Sequence, residues 1–362
     1  MNKTPLHNHH VALGAKMVNF GGFAMPVYYT GIAEEHQAVR THAGLFDVSH
    51  MGQVIIKGEN AQQYLQKIVV SDITLLSPGN AQYTVMCNEN GGIIDDLLVY
   101  CYSDYYMLVV NAGNLEKILE WLIKNNSVKA HIEDKSNQMS LLAVQGPNSR
   151  KIVSDFTRIS LEDLKYYQFI QSNQINFPIT ISRTGYTGEL GYEIYCSDKN
   201  AGYLWDGLLK KGKKYRLVPT GLGARDILRM EMKYCLYGND IDETTHPFEA
   251  GLGWVVSLDK DDFIGQEALI PMKRDFPKRL ICFQMEERAI PRKGYPIWIN
   301  DEERGVVTSG GFSSVLNIGV GMGYVHRKFS KAGNQIGIDV RGKVKNALIK
   351  KPPLYTYGTL YS

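Results

Sequence analysis

No apolar run in the 362 residues approaches the roughly 20 needed to cross a bilayer as a helix. The first ten residues, MNKTPLHNHH, carry neither an apolar signal core nor an arginine-rich transit pattern. Cysteine is sparse. Cys87, Cys101, Cys196, Cys235 and Cys282 are odd in number and scattered, with no CxxC pair. That is the usage of reduced thiols, so a cytoplasmic protein without a disulfide framework is expected. Charge of one sign is lacking too. A net charge of +3 is small for this length and argues against a dedicated nucleic-acid binder. The densest basic run, Lys210, Lys211, Lys213 and Lys214, reads as a solvated helix end. No His, Cys or carboxylate cluster has metal-ligand spacing. His7, His9 and His10 lie close together, but with nothing acidic beside them they read as a solvated terminus. A complete dinucleotide fingerprint is missing as well. Gly221-Leu222-Gly223 precedes a helix, but Asp226 stands where the third glycine belongs, which weighs against NAD.

What remains is an ordinary globular composition, 44% apolar and 21% charged, long enough for two or three domains. The 35 glycines and 22 tyrosines favour a loop-rich, strand-rich chain with aromatic-lined surfaces. The pattern predicts a helix over 31–44, a strand over 53–57, a helix over 60–68 capped by Asn60, and a strand over 105–110. An amphipathic helix follows over 115–124, with Leu115, Ile118, Leu119 and Leu122 on one face. Strands are expected at 140–145, 179–183 and 192–196, then a helix over 224–234. Residues 259–277 read as a linker. Beyond them, short strands at 279–284, 304–308, 319–325 and 335–340, separated by Gly, Pro and Ser turns, predict a small all-β barrel or sandwich.

The central stretch is Cys87 to Tyr100, CNENGGIIDDLLVY. Asn88 to Gly92 is a hairpin turn signal between two strands. Two adjacent carboxylates, Asp95 and Asp96, interrupt the second strand. Alternation puts Ile94, Asp96, Leu98 and Tyr100 on one face, and Asp95, Leu97 and Val99 on the other. One carboxylate at least must then sit in apolar surroundings, which is costly without a partner or ligand. Such local conflicts mark functional sites. Capping of a bulge, or pairing with distant arginines, would account for the same pattern.

Taken end to end, the chain resembles the aminomethyltransferase (T-protein) family of the glycine cleavage system. The carrying motifs are LGAKMVNFGG with FAMPVYY near the start, LFDVSHMG at 45–52, MCNENGGIIDDLLVY at 86–100 and VVNAGN at 109–114. RTGYTGELGYE at 183–193, GLGARDILRME at 221–231, and TSGGFSS with GMGYV at 308–325 complete them, in the family's order and spacing. The resemblance implies an α+β, strand-rich fold: a three-domain clover-leaf around a central folate channel, with a C-terminal all-β barrel. The expected divisions are 1–50 with 140–258 (discontinuous and folate-binding), 51–139 (ferredoxin-like) and 275–362 (the barrel). It implies transfer of a one-carbon unit from a lipoylated H-protein to tetrahydrofolate as co-substrate, without metal, membrane or nucleic acid.

By the same resemblance Asp96 is the catalytic aspartate. A carboxylate placed beside the pterin stabilises the positive charge that develops during transfer. Glu193 is the pterin-recognition glutamate, accepting a fork of two ring-edge donors. Arg225 belongs to the folate site. From the residues alone, Arg225 and Arg229 would read as a solvated helix face paired through Asp226. Tyr83, Tyr100, Met51, Leu98, Asn111 and Tyr186 match channel-lining positions, and Arg292 the channel mouth. His50 is expected in a structural hydrogen bond. The chain departs from the family at Phe23, where tryptophan is common, and at Ser314, which replaces a proline and is expected to loosen its loop. It also lacks a tail arginine near the folate's glutamate, leaving Tyr355 or Tyr357 for that contact. Two other functions compete: a folate-dependent demethylase of a small methylated amine or sulfonium compound, and a non-catalytic folate-binding protein of iron–sulfur assembly. The latter's KGCYxGQ motif has only Lys260-Asp261-Asp262-Phe263-Ile264-Gly265-Gln266 as counterpart, with no cysteine.

Overall fold

The computed structural model covers residues 1–362 and contains four sheets. Asn2–Lys3, Phe23–Tyr28 and Lys16–Phe20 form a small N-terminal sheet. A six-stranded sheet runs in the order Phe169–Ser172, Ile179–Ser182, Gly191–Ser197, Met139–Gln145, Ala43–Asp47, Leu217–Pro219. Helices Ser149–Thr157 and Ala201–Gly212 bury their apolar stripes on it, closing a core that contains Leu45, Tyr192 and Trp205.

From Gly52 the chain enters a five-stranded sheet, and it returns at Met139. The order there is Asn80–Cys87, Ile93–Cys101, Tyr105–Val110, Gly52–Lys57, His131–Asp134. Helices Ala61–Ile68 and Leu115–Lys124 cover one face, burying Tyr64, Leu65, Ile118 and Leu122. The other face turns toward the six-stranded sheet, and a core built around Tyr100, Phe46, Leu141 and Tyr195 joins the two. The last sheet closes into a six-stranded barrel between Lys278 and Lys350. The molecule is therefore strand-rich α+β with a C-terminal barrel. No helix is long and apolar enough to cross a membrane.

The expected strand Tyr105–Val110 and helix Leu115–Lys124 coincide with the observed ones. Other expectations need correction. The first long helix ends at Thr41, and Gly44 lies in the strand Ala43–Asp47, where a Cβ would collide with Thr220 and Val39. Asn60 precedes its helix without a side-chain capping bond, and its amide donates to the Val128 carbonyl across the fold. Residues 259–277 hold a helix, Gln266–Met272, and not only a linker. The barrel also uses Pro296–Ile299 and Val344–Lys350, whose leading proline and interleaved lysines hid them.

One of the N-terminal histidines is not part of a solvated end. His10 is fully buried, 2.9 Å from Asp47, and its other nitrogen faces the Tyr29 hydroxyl at 2.9 Å. Asp47 supplies the acidic partner, 37 residues away in sequence. Arg229 is likewise no solvated residue: it is buried between Asp226 and Asp240. Ser314 ties its loop down instead of loosening it, with its hydroxyl 2.7 Å from His36 and donating to Ala33.

Candidate active site

The hairpin between Asn80–Cys87 and Ile93–Cys101 builds the site. Asn88 accepts, through its side-chain oxygen, from the backbone N–H groups of Asn90 and Gly92 at 3.0 Å each, which folds the turn. Directly after it the pairing slips by one residue. Met86 pairs with Asp95 but Cys87 with Ile93, so Ile94 is extra. The bulge moves Ile94 into the helix-side core with Leu97 and Val99, off the face it was expected to share with Asp96. Beyond it the regular alternation resumes and gives the two carboxylates different partners.

Asp95 is completely buried. One of its oxygens accepts from the side chains of Asn111 at 2.8 Å and Asn114 at 2.7 Å, and the other from the Asn111 backbone N–H at 3.1 Å. It therefore pins the loop that opens the helix Leu115–Lys124. Asp96 faces a cavity of about 330 Å³. It accepts from the Tyr83 hydroxyl at 3.0 Å and from the Asn111 amide at 2.9 Å. Burial pushes its carboxyl above the usual range, and the bonds from Tyr83 and Asn111 pull the other way. Burial and the neighbouring Asp96 charge push Asp95 up as well.

Across the cavity stands Glu193, on the strand Gly191–Ser197. It accepts from the Thr184 hydroxyl at 2.5 Å. Burial raises its carboxyl, and the Thr184 bond and the charge of Arg225 oppose that. Arg225 comes from the helix Leu222–Glu231 and lies over the Tyr186 ring, 4.7 Å from its centre. Gly221, just before that helix, allows the close approach: a Cβ there would meet the Val27 backbone at 2.5 Å. Tyr186 in turn stacks on Tyr234 and donates to the Cys235 carbonyl.

The cavity wall therefore holds Asp96, Glu193, Arg225, Tyr83, Met51, Leu98, Asn111 and Tyr186. Tyr100 does not reach it. Its hydroxyl is buried behind, 3.1 Å from Ser182 and 3.2 Å from the Thr184 hydroxyl that holds Glu193. Arg292 and Tyr357 are not in the wall either. After Pro352 the tail bends back over the six-stranded sheet, which leaves Tyr357 81% exposed and puts Tyr355 under the Arg40 guanidinium. His50 makes no hydrogen bond at either nitrogen. It lies edge-on to Phe20, and burial together with the charge of Arg225 lowers its pKa to about 3.

Sequence reasoning missed Thr184, Lys233, Cys235 and Trp254. Thr184 sits in the RTGYTG motif that yielded Tyr186. Trp254, 70% exposed, stacks on Tyr83 with ring centres 5.9 Å apart, yet it belongs to no periodic element. Cys87 and Cys101 flank the key strand in sequence, but Cys235 is the cysteine in the wall. Burial pushes its thiol up to about 12, so it is a protonated, weakly nucleophilic group. No group of three His, Cys, Asp or Glu side chains converges as a metal site requires.

A partly open cleft with opposed carboxylates, an arginine and aromatic walls is the arrangement of a small-molecule site in an enzyme. Comparison with known proteins names the class more closely. Residues 6–260 match the GCVT N-terminal domain, and residues 278–356 the glycine cleavage T-protein C-terminal barrel domain. An aminomethyltransferase of Halothermothrix orenii is 49% identical over 355 residues, 98% of this chain and 99% of the relative. One of Bacteroides fragilis is 45% identical over 358 residues, with 98% and 99% covered. The crystal structure of glycine cleavage system aminomethyltransferase T from Bartonella henselae superimposes with a TM-score of 0.93 at 33% identity, over 99% of both chains. The chain belongs to the glycine cleavage T-protein family, the aminomethyltransferases.

Proposed function

We propose that this chain transfers the one-carbon unit of an aminomethyl-lipoyl H-protein to tetrahydrofolate, giving 5,10-methylenetetrahydrofolate, ammonia and dihydrolipoyl H-protein. The observation that carries this reading is the Asp96 carboxylate, held toward the cavity by Tyr83 and Asn111 and opposed by the Glu193–Arg225 pair. Glu193 suits the adjacent amino and ring N–H donors of a pterin edge, and the charge of Arg225 opposes the rise that burial gives its carboxyl. Tyr186, Tyr83, Met51 and Leu98 supply the apolar walls that flat rings need. Bound tetrahydrofolate supplies the attacking nitrogen, so the protein need not provide a nucleophile. Asp96 stabilises the positive charge that grows at the reacting carbon and nitrogen, in a site where water is scarce. Asp95 and Asn114 act at one remove, fixing the Asn111 that orients Asp96.

The proposed organisation is a discontinuous folate domain of residues 1–50 and 140–258, a domain of 51–139 and a barrel of 275–362, working in the cytoplasm. The test is ammonia release from aminomethylated H-protein, with and without tetrahydrofolate. Folate-dependent release is the expected result. Release only from a small methylated amine or sulfonium compound would sink the reading in favour of a demethylase. Binding without turnover of either substrate would leave a folate-binding protein.

A further inference from the structure

Behind Glu193 runs a row of hydroxyls that continues past the cavity wall into the interior. The Thr184 hydroxyl donates to Glu193 Oε2 at 2.5 Å. The Tyr100 hydroxyl lies 3.2 Å from that of Thr184, and Tyr195 donates to Tyr100 at 3.0 Å. Ser182 lies beside the row, 3.0 Å from Thr184 and 3.1 Å from Tyr100. All of these hydroxyl-bearing side chains are buried. Strand register brings them together. Ser182 is the cross-strand partner of Glu193, and Tyr195 follows Glu193 by two residues on the same face. Tyr100 comes from the other sheet, on the strand Ile93–Cys101 that also carries Asp96. One strand therefore supplies the carboxylate at one end of the cavity and a hydroxyl behind the carboxylate opposite. Phenylalanine, valine or alanine would fill the same space without polar groups to satisfy.

We propose that Thr184 is a positioning residue for ring recognition, and that Tyr100, Tyr195 and Ser182 aim its proton at Glu193. The inference rests on the folate reading above. A hydroxyl has one proton to give. With Tyr195 donating to Tyr100 and Tyr100 donating onward, the Thr184 proton is left for Glu193, and donors in series polarise one another. The bond fixes the plane of the carboxylate and favours its charged form. A charged carboxylate only accepts, so it takes both donors of a pterin edge; a protonated one presents a donor and loses the fork. The titratable groups around Glu193 are Arg225 from the helix Leu222–Glu231, Tyr100 from the other sheet, Tyr167 from the loop before Phe169–Ser172, and Tyr195 from its own strand. Burial raises the Glu193 carboxyl, and the Thr184 bond opposes that more strongly than the charge of Arg225 does.

The test uses the full chain and measures the tetrahydrofolate dissociation constant by calorimetry across pH, for the wild type, T184V, T184S and Y195F. Valine keeps the shape of threonine and removes the hydroxyl. Without that bond the Glu193 carboxyl rises further, so affinity should begin to fall at a higher pH on acidification, by about one pH unit. At a fixed pH of about 6, KM for tetrahydrofolate should rise about fivefold or more, with kcat within about threefold. T184S should restore the wild-type profile. Y195F removes the first donor of the row and should shift the profile the same way by less; it carries the test if T184V does not fold. In an E193Q background no carboxylate is left to titrate, so T184V should add less than about twofold. A T184V protein that melts early but keeps the wild-type pH profile would overturn the proposal and leave the row as packing. So would a full, additive loss in the E193Q background, or a T184S variant as impaired as T184V. A wild type that binds no tetrahydrofolate at any pH would sink the folate reading itself, a result distinct from unshifted profiles.

Discussion

At the residue scale the two aspartates divide the work. Asp96 accepts two hydrogen bonds at a wall of the cavity, and Asp95 accepts three in the dry interior. Replacing Asp96 by Asn should preserve the fold, because the amide can accept from Asn111 and donate to Tyr83. It should lower turnover by about 10²-fold or more and leave folate affinity within about tenfold. The raised carboxyl adds a second expectation. A folded-state pKa above the unfolded one means that the native state holds its proton longer, so stability falls as pH rises between the two values. Asp96→Asn removes that loss. Its melting temperature should exceed the wild type's by a margin that widens as pH rises above the ordinary aspartate range of about 4, read by calorimetry. A margin that narrows with pH would mean the carboxyl is not raised. Glu193→Gln should instead weaken tetrahydrofolate binding about tenfold or more, since an amide N–H would then face a ring donor. An unchanged dissociation constant would remove Glu193 from pterin recognition. Legibility at this scale was uneven. The carboxylate pair stood out because it broke an apolar pattern, and the family motifs assigned Glu193 and Arg225. His10 and His50 were misread, since their surroundings of Asp47, Tyr29, Phe20 and Arg225 come from segments distant in sequence.

At the scale of elements, the hairpin was legible because glycine and asparagine punctuate it and β-branched residues flank it. The bulge at Ile94 was not. A one-residue slip in pairing leaves no mark in composition, yet it decides which face Ile94 takes. The same stretch explains why Gly92 cannot be replaced. A Cβ there would fall 1.9 Å from the Glu243 carbonyl oxygen and 2.8 Å from its carbon, both backbone atoms that cannot swing aside. The next residue, Ile93, donates its N–H to the Thr245 carbonyl, so the two segments are already locked together. Gly92→Ala should therefore push the 243–245 loop off the hairpin. The expected cost is about 2–4 kcal/mol in denaturant unfolding, with a fall in turnover larger than that of an alanine at exposed Glu89. A variant as stable and active as the wild type would show that the loop is free to move. Lys260 teaches a related lesson. In the sequence it served only to set this chain apart from proteins with a KGCYxGQ motif. In the fold its amine donates to the carbonyls of Gln66, Val69 and Ser71, closing the end of the helix Ala61–Ile68.

At the scale of the whole molecule, buried charge holds the barrel to the six-stranded sheet. Arg40 reaches from the helix Ile32–Thr41 to Glu231 at 2.5 Å and Glu189 at 2.7 Å. Glu231 also accepts from Ser313 of the barrel, and Glu189 from Thr359 of the tail. Arg183 donates to the carbonyls of Leu360 and Ser362, so the tail is strapped down along its length. None of this was readable in the sequence, where these groups lie up to 191 residues apart and look like separate surface charges. A buried pair need not add net stability over an apolar replacement, but removing one partner strands the other. Arg40→Met should therefore cost about 3–5 kcal/mol, and Arg40→Met with Glu189→Gln and Glu231→Gln should recover much of it. The dependence on pH gives the sharper reading. Burial alone would raise the Glu231 carboxyl, but His36 and Arg40 hold it below the usual range. Its contribution in the wild type is then present above the unfolded value and lost as pH falls through the folded one. Without Arg40, burial has less opposing it and the carboxyl rises. If it passes the unfolded value, this carboxyl's contribution falls on going up in pH in the variant where it rises in the wild type. Unfolding in urea from about pH 4 to pH 7 should show the gap in stability between the wild type and Arg40→Met widening as pH rises. Parallel curves would mean that the network contributes packing alone, and that the barrel is held by its apolar contacts.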